Sequence, residues 1–206
     1  MVGDAFETIE KSRKSLATQA NRLGYSAVPG SMAGHGLTLA RYATESGKPN
    51  NERLAEYTDS RMDGTKKRIL SKAPIYPAME EAQLAAVFRD AKEILGDSDP
   101  YVKAVLNGRT PAEAAHDLIS RSKLNDPAYR TQLFEGKAAI DASQDPLLEL
   151  ARKVDPILRE LTKWRETQID AIERDPANRI SKVRFSIYGR TVPPMPTLRF
   201  GSRRES

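Results

Sequence analysis

AMEEAQLAAVFRDAKEILG, residues Ala78 to Gly96, reads as one amphipathic helix from end to end. Leu84, Phe88, Ala91 and Leu95 recur at three- and four-residue steps, the spacing that lines up side chains on one helix face. Charged and polar residues fill the other positions. Gly96 follows the last apolar residue, where a helix ends most easily in a left-handed turn. The pattern fixes the class of the segment, and the same punctuation recurs on both sides of it.

Asp-Pro pairs stand at Asp99-Pro100, Asp126-Pro127, Asp145-Pro146, Asp155-Pro156 and Asp175-Pro176. Proline suits the first helical turn, where its missing N–H has no partner to lose, and the preceding Asp can accept from the free amides. Thr110-Pro111-Ala112-Glu113 has the order of a capping box. These signals predict helices near Phe6–Leu23, Ala33–Glu45, Asn50–Leu70, Ala78–Leu95, Pro100–Leu106, Pro111–Ser122, Pro127–Phe134 and Pro146–Ser186. In the Thr110–Ser122 segment, Ala114, Ala115, Leu118 and Ile119 share one side. The last helix is predicted to be the longest. Leu147, Leu150, Val154, Ile157, Leu161, Trp164, Ile169 and Ile172 form its stripe, and Ile180, Val183 and Ile187 extend it. Pro156 and Pro176 fall inside that pattern and are expected to kink or interrupt it. GYSAVPGSMAGHG (Gly24–Gly36) reads as a Gly-rich linker. The fold class is therefore mainly α.

The totals agree with this class. In 206 residues, 39% are hydrophobic and 30% charged, the balance of a chain that folds around a core. With no cysteine, disulfides, thiol nucleophiles and thiolate metal sites are excluded. No apolar run approaches the ~20 residues that span a bilayer, so no membrane role is expected. The first residues, MVGDAFETIEKSRK, lack an apolar signal core, so the chain expressed as it stands is expected to be cytoplasmic. The net charge of +5 is concentrated late: from Ala151 onward there are 13 basic against 7 acidic residues. However, Glu160, Glu166, Asp170, Glu173 and Asp175 are interleaved with those bases, as on a solvated helix, and no nucleic-acid partner is expected.

Candidate chemistry is sparse. His35 lies between Gly34 and Gly36, a setting that orients a base poorly, and His116 lies beside the apolar stripe of its helix. Both are expected to be structural. No HExxH pair, GxSxG elbow, GxGxxG loop or P-loop is present. Glu80-Glu81 and Lys66-Lys67 read as solvated helix residues, and Trp164 as core. The sequence thus predicts no catalytic, cofactor-binding or metal-binding residue, and no cofactor.

Several phrases in order resemble one family. They are KPNNERLAEYTDSRM (Lys48–Met62), APIYP (Ala73–Pro77), DPYVKAVLNGRTPAEAAHDLISRSKL (Asp99–Leu124), GKAAIDASQDPLLELARKVDP (Gly136–Pro156) and ISKVRFSIYG (Ile180–Gly189). Together they are similar to the bacterial serine dipeptidyl-peptidases of the 7 and 11 type. In that family a chymotrypsin-like double β-barrel carries an inserted helical domain that caps the active-site cleft. The resemblance is close over Lys48–Gly189 and looser over Asp4–Gly47. It implies a hydrolase that releases dipeptides from peptide N-termini with a Ser-His-Asp triad, in a periplasmic or secreted setting. The family's triad His and Asp, and the asparagine that holds the substrate amine, precede the matched region. Its nucleophilic serine follows it. No catalytic residue is therefore carried over, and His35 and His116 match no triad position. The resemblance implies a helical cap, inactive alone, that meets peptide substrate only within the full-length enzyme. A freestanding helical interaction domain is the alternative, and a basic nucleic-acid binder ranks last.

Three regions follow: a helical hairpin over 1–47, the helical cap over 48–189, and an irregular tail over 190–206. In the tail, VPPMPTLRFGSRRES (Val192–Ser206) replaces a strand that in the family resembles V-Y-P-D-A-x-F-T-L-R. A one-base shift of reading frame through Pro193–Gly201 permits Pro-Asp-Ala-Asn-Phe-Thr-Leu-Arg. The tail is accordingly expected to be a frame-slipped remnant of a barrel strand, so that Arg199, Arg203 and Arg204 form no binding patch. Ending the cap there should expose Ile180, Val183 and Ile187 on the last helix and favour self-association.

Overall fold

A computed structural model describes residues 3–11, 14, 30–167 and 171–189. They divide into two compact units, one drawn from Met1–Leu16 with Trp164–Ser206 and the other from Ala17–Lys163. The described residues are mainly α and contain no strand.

In the larger unit the helices are α1 (Met32–Glu45), α2 (Asp59–Ile69), α3 (Pro77–Leu95), α4 (Pro100–Leu106), α5 (Pro111–Arg121), α6 (Pro127–Phe134), α7 (Lys137–Ala142) and α8 (Pro146–Arg165). The last two residues of α8 fall to the smaller unit. The central pair is α3 on α5, with α4 packed against both. Leu84, Phe88 and Ala91 of α3 and Ala114, Ala115, Leu118 and Ile119 of α5 are buried in one core. The small side chains Ala114 and Ala115 allow close approach, since the side chains at the contact set the interhelix distance. Each large apolar side chain fully buried in this core contributes roughly 1.5–3 kcal/mol. Helix α1 packs on α7, α6 packs on α7 and on α2, and Tyr42 stacks on Phe134 with ring centroids 4.4 Å apart.

The caps explain the boundaries. Asp99, Asp126 and Asp145 each accept from the amide two residues on, at 2.9, 2.8 and 3.0 Å, and so begin α4, α6 and α8. Thr110 and Glu113 form the expected reciprocal capping box. Gly96 ends α3 at φ 78°, and Asn107 ends α4 in the left-handed region.

Four expectations are corrected. Asn50–Leu70 is not one helix: two 3₁₀ turns, Asn50–Glu52 and Ala55–Tyr57, precede α2. Side chains there take over the backbone groups that a helix would use. Glu45 accepts from the Leu54 N–H at 2.8 Å, Asn50 from the Asp59 N–H at 2.9 Å, and Arg53 donates to the Lys48 carbonyl at 2.8 Å. The Gly-rich stretch becomes helical from Met32 onward, while residues 21–29 of it lie outside the described residues. Helix α7 has no counterpart in the predicted set; its end is held by Arg152, which donates to the carbonyls of Ile140 and Ser143.

The last correction concerns the predicted helix Pro146–Ser186. It is two helices, α8 and, in the smaller unit, α9 (Ala171–Tyr188). The prolines are not the division, because Pro156 lies within α8 and Pro176 within α9. Pro156 has no N–H to give the carbonyl of Arg152, and in the following turn Asp155 and Arg159 pair at 2.6 Å. Asp155-Pro156 and Asp175-Pro176 are accordingly interior pairs and not caps. In the smaller unit, residues 3–11 are helical, and α9 leaves Val183, Phe185 and Ile187 exposed by 40, 59 and 65%. The predicted tail 190–206 and most of the predicted hairpin's first arm lie outside the described residues.

Candidate functional site

The first turn of α1 carries the chemistry that the sequence placed in a linker. Ser31 caps it, its Oγ accepting from the Gly34 N–H at 3.0 Å. Glu80, from α3, accepts from the Met32 N–H at 2.8 Å. Burial pushes the Glu80 carboxyl above its ordinary range, against the effect of that bond. Glu80 is thus a cross-helix cap and not a solvated residue. Gly36 permits close packing: a Cβ there would stand 3.0 Å from the Leu147 carbonyl oxygen and 3.3 Å from a Leu124 methyl.

His35 is only 2% exposed. Burial first, then the positive charges of Arg130 and Arg68, lower its pKa to about 4, so the ring is neutral near pH 7. Arg130 is itself fully buried and donates to three carbonyls, Ile69 at 2.7 Å, Leu124 at 2.5 Å and Ser71 at 2.5 Å. It joins the end of α2 to the α5–α6 connection. Desolvation lowers its pKa, partly offset by Asp126.

Further along the helix, Arg41 and Glu45 of α1 meet Asp155 and Arg159 of α8. Arg41 Nε bonds Asp155 at 2.6 Å, and Arg159 bonds Glu45 at 2.8 Å as well as Asp155. Lys48 adds a third cation, 2.7 Å from Glu45. Burial would raise the Glu45 carboxyl, but bonds from Lys48, the Leu54 N–H and Arg159 together hold it below its ordinary range. Breaking such a network from one side strands a buried charge, a loss of about 3–5 kcal/mol.

Between α1, the Ala55–Tyr57 turn and α2 lies a pocket of about 220 Å³, lined by Gly30, Gly34, His35, Leu37, Thr38, Arg41, Glu56, Tyr57 and Arg68. The Tyr57 hydroxyl donates to the Thr38 carbonyl at 3.2 Å, and burial raises its pKa, keeping it a phenol. Two guanidinium groups and a neutral imidazole therefore face one small polar cavity.

The other residues singled out by sequence lie apart from it. His116 is exposed and its Nδ1 lies 3.1 Å from Glu81, joining α5 to α3. Lys66 and Lys67 are exposed in the last turn of α2, and Trp164 is half-buried. Among the described residues, no serine hydroxyl is hydrogen-bonded to either histidine, and no three His, Cys, Asp or Glu side chains gather as metal ligands. No helix among them is long and apolar enough to cross a membrane. Sequence reasoning missed Arg41, Glu45, Asp155, Arg159 and Arg130. The i,i+4 spacing of Arg41 with Glu45, and of Asp155 with Arg159, was the available signal, but their pairing crosses 114 positions.

No curated protein matches the chain. A family model, Peptidase S46, matches residues 2–201 and so takes in all of the described helices as well as part of the tail. That match agrees with the ordered phrases from Lys48 to Gly189, and the chain belongs to the peptidase S46 family, that of the dipeptidyl-peptidases 7 and 11.

Proposed function

We propose that this chain is the helical domain that caps the active-site cleft of a serine dipeptidyl-peptidase, and that it is inactive alone. The observation that carries this reading is the coincidence of two facts. The family match spans residues 2–201, and the described residues within it are mainly helical with no strand, the class of the family's inserted domain and not of its barrels. The cap acts within the complete enzyme by bounding the cleft, limiting it to peptides and moving as a lid. Peptide is its substrate only there. The setting implied by the family is periplasmic or secreted.

A chimera tests the cap role. Residues 48–189 replace the helical domain of an active family member, and release of dipeptides from an oligopeptide is measured. Restored release supports the cap; a chimera that folds, by circular dichroism and cooperative melting, yet releases nothing overturns it.

A second reading, a freestanding helical interaction domain, draws support from the exposed Val183, Phe185 and Ile187 of α9. Concentration-dependent association that disappears in Val183→Lys with Ile187→Lys would favour it.

A further inference from the structure

We propose that the pocket between α1 and α2 binds the carboxylate of a short peptide. Its lining is cationic and its donors are under-used. Arg41 is 20% exposed and has only its Nε engaged, by Asp155, so its Nη groups have no partner among the described residues. Arg68 is held loosely, 3.4 Å from the Thr65 hydroxyl and 4.0 Å from Glu56, distances at or beyond the edge of hydrogen bonding. Glu56, 60% exposed, is the one carboxylate among the lining residues.

The positive potential has an internal reporter. The charges of Arg130 and Arg68 add to burial in keeping His35 neutral, so the site already disfavours one more cation. An anion relieves that repulsion. Guanidinium groups match the planar two-oxygen face of a carboxylate through paired N–H donors. The acidic neighbours Asp155 and Glu56 weigh against a dianion such as phosphate. A cavity of about 220 Å³ admits a carboxylate with one or two flanking residues and not a folded partner. That the carboxylate belongs to a peptide rests on the peptidase reading; that a carboxylate binds does not.

The test uses the whole chain and its two histidines. At low ionic strength, where surface charge is least screened, N-acetyl-Ala-Ala is titrated while the His35 and His116 ring protons are followed by NMR. The expected record is a saturable shift of the His35 signal with no matching shift at His116. N-acetyl-Ala-Ala amide should give no such shift. An amide-capped peptide whose one carboxylate is an Asp side chain separates terminal from side-chain recognition, and binding of either carboxylate supports the site. Arg68→Met should weaken binding at least tenfold and Arg68→Lys by less, both with an unchanged melting temperature. Equal binding of the neutral amide, tighter binding of inorganic phosphate, or full affinity in Arg68→Met would overturn the proposal. The acid–amide comparison needs no variant, so it stands even if a substitution unfolds the chain. Because no hydrolysis is read, failure of the pocket and failure of the peptidase reading leave different records.

Discussion

At the scale of single residues, His35 and Arg130 show how position outweighs residue type. A histidine flanked by glycines reads as mobile, yet the ring is buried beside two arginines. Its folded pKa of about 4 lies below the ~6.5 of an unfolded histidine. Between those values the unfolded chain holds the extra proton, so the contribution of His35 is complete above about pH 6.5 and is lost as pH falls toward 4. The full loss is about 3 kcal/mol. Urea denaturation of wild type and His35→Gln across that window should show a steeper decline in the wild type; parallel slopes would refute the assignment. Arg130 is invisible as a structural residue in the sequence, because its partners are carbonyls from positions six to sixty-one residues away. Arg130→Met should cost about 3 kcal/mol or more, since it leaves three carbonyls unmatched. Lysine should rescue little, having one point of donation where the guanidinium has a fork. A melting temperature within a degree or two of wild type would contradict this.

Among the elements, legibility follows the range of the interaction that sets each boundary. Helices α4 and α6 begin and end where the sequence places them, because the Asp-Pro caps, the left-handed Asn107 and the Glu135 C-cap act within a few residues. The buried face of α5 is the predicted one for the same reason, its period being local. Helix α1 starts one residue before the predicted Ala33–Glu45, although Glu80 from α3 and the space beside Leu147, which hold its first turn, are long-range features. The Asn50–Tyr57 segment was misread because Glu45 and Asn50 capture amides there from outside any helical repeat. Of the candidate pocket, His35 alone was singled out beforehand, and for another reason; Arg41, Tyr57 and Arg68 come together only through the fold. Gly36→Ala isolates the contact of α1 with the start of α8. Alanine favours helix by up to ~1 kcal/mol over glycine, but its Cβ would press on a backbone carbonyl that cannot rotate away. Overpacking of this kind costs about 1–3 kcal/mol. A net loss of stability on thermal melting is expected; a gain would mean that α1 can shift freely.

For the whole molecule, the family match over residues 2–201 and the helical character of the described residues support the proposed role of a peptidase cap, which among the described residues holds no serine hydroxyl bonded to a histidine. In a triad, a serine activated by histidine and an oxyanion hole together carry the rate. Here His35 is buried and neutral, and His116 pairs with Glu81 on the surface. The most direct measurement is hydrolysis of a panel of dipeptidyl chromogenic substrates by the purified 206-residue chain. The account predicts no release of chromophore above the buffer rate at any pH between 6 and 9. Turnover that scales with the concentration of this chain and is abolished by a serine-directed inhibitor would contradict it.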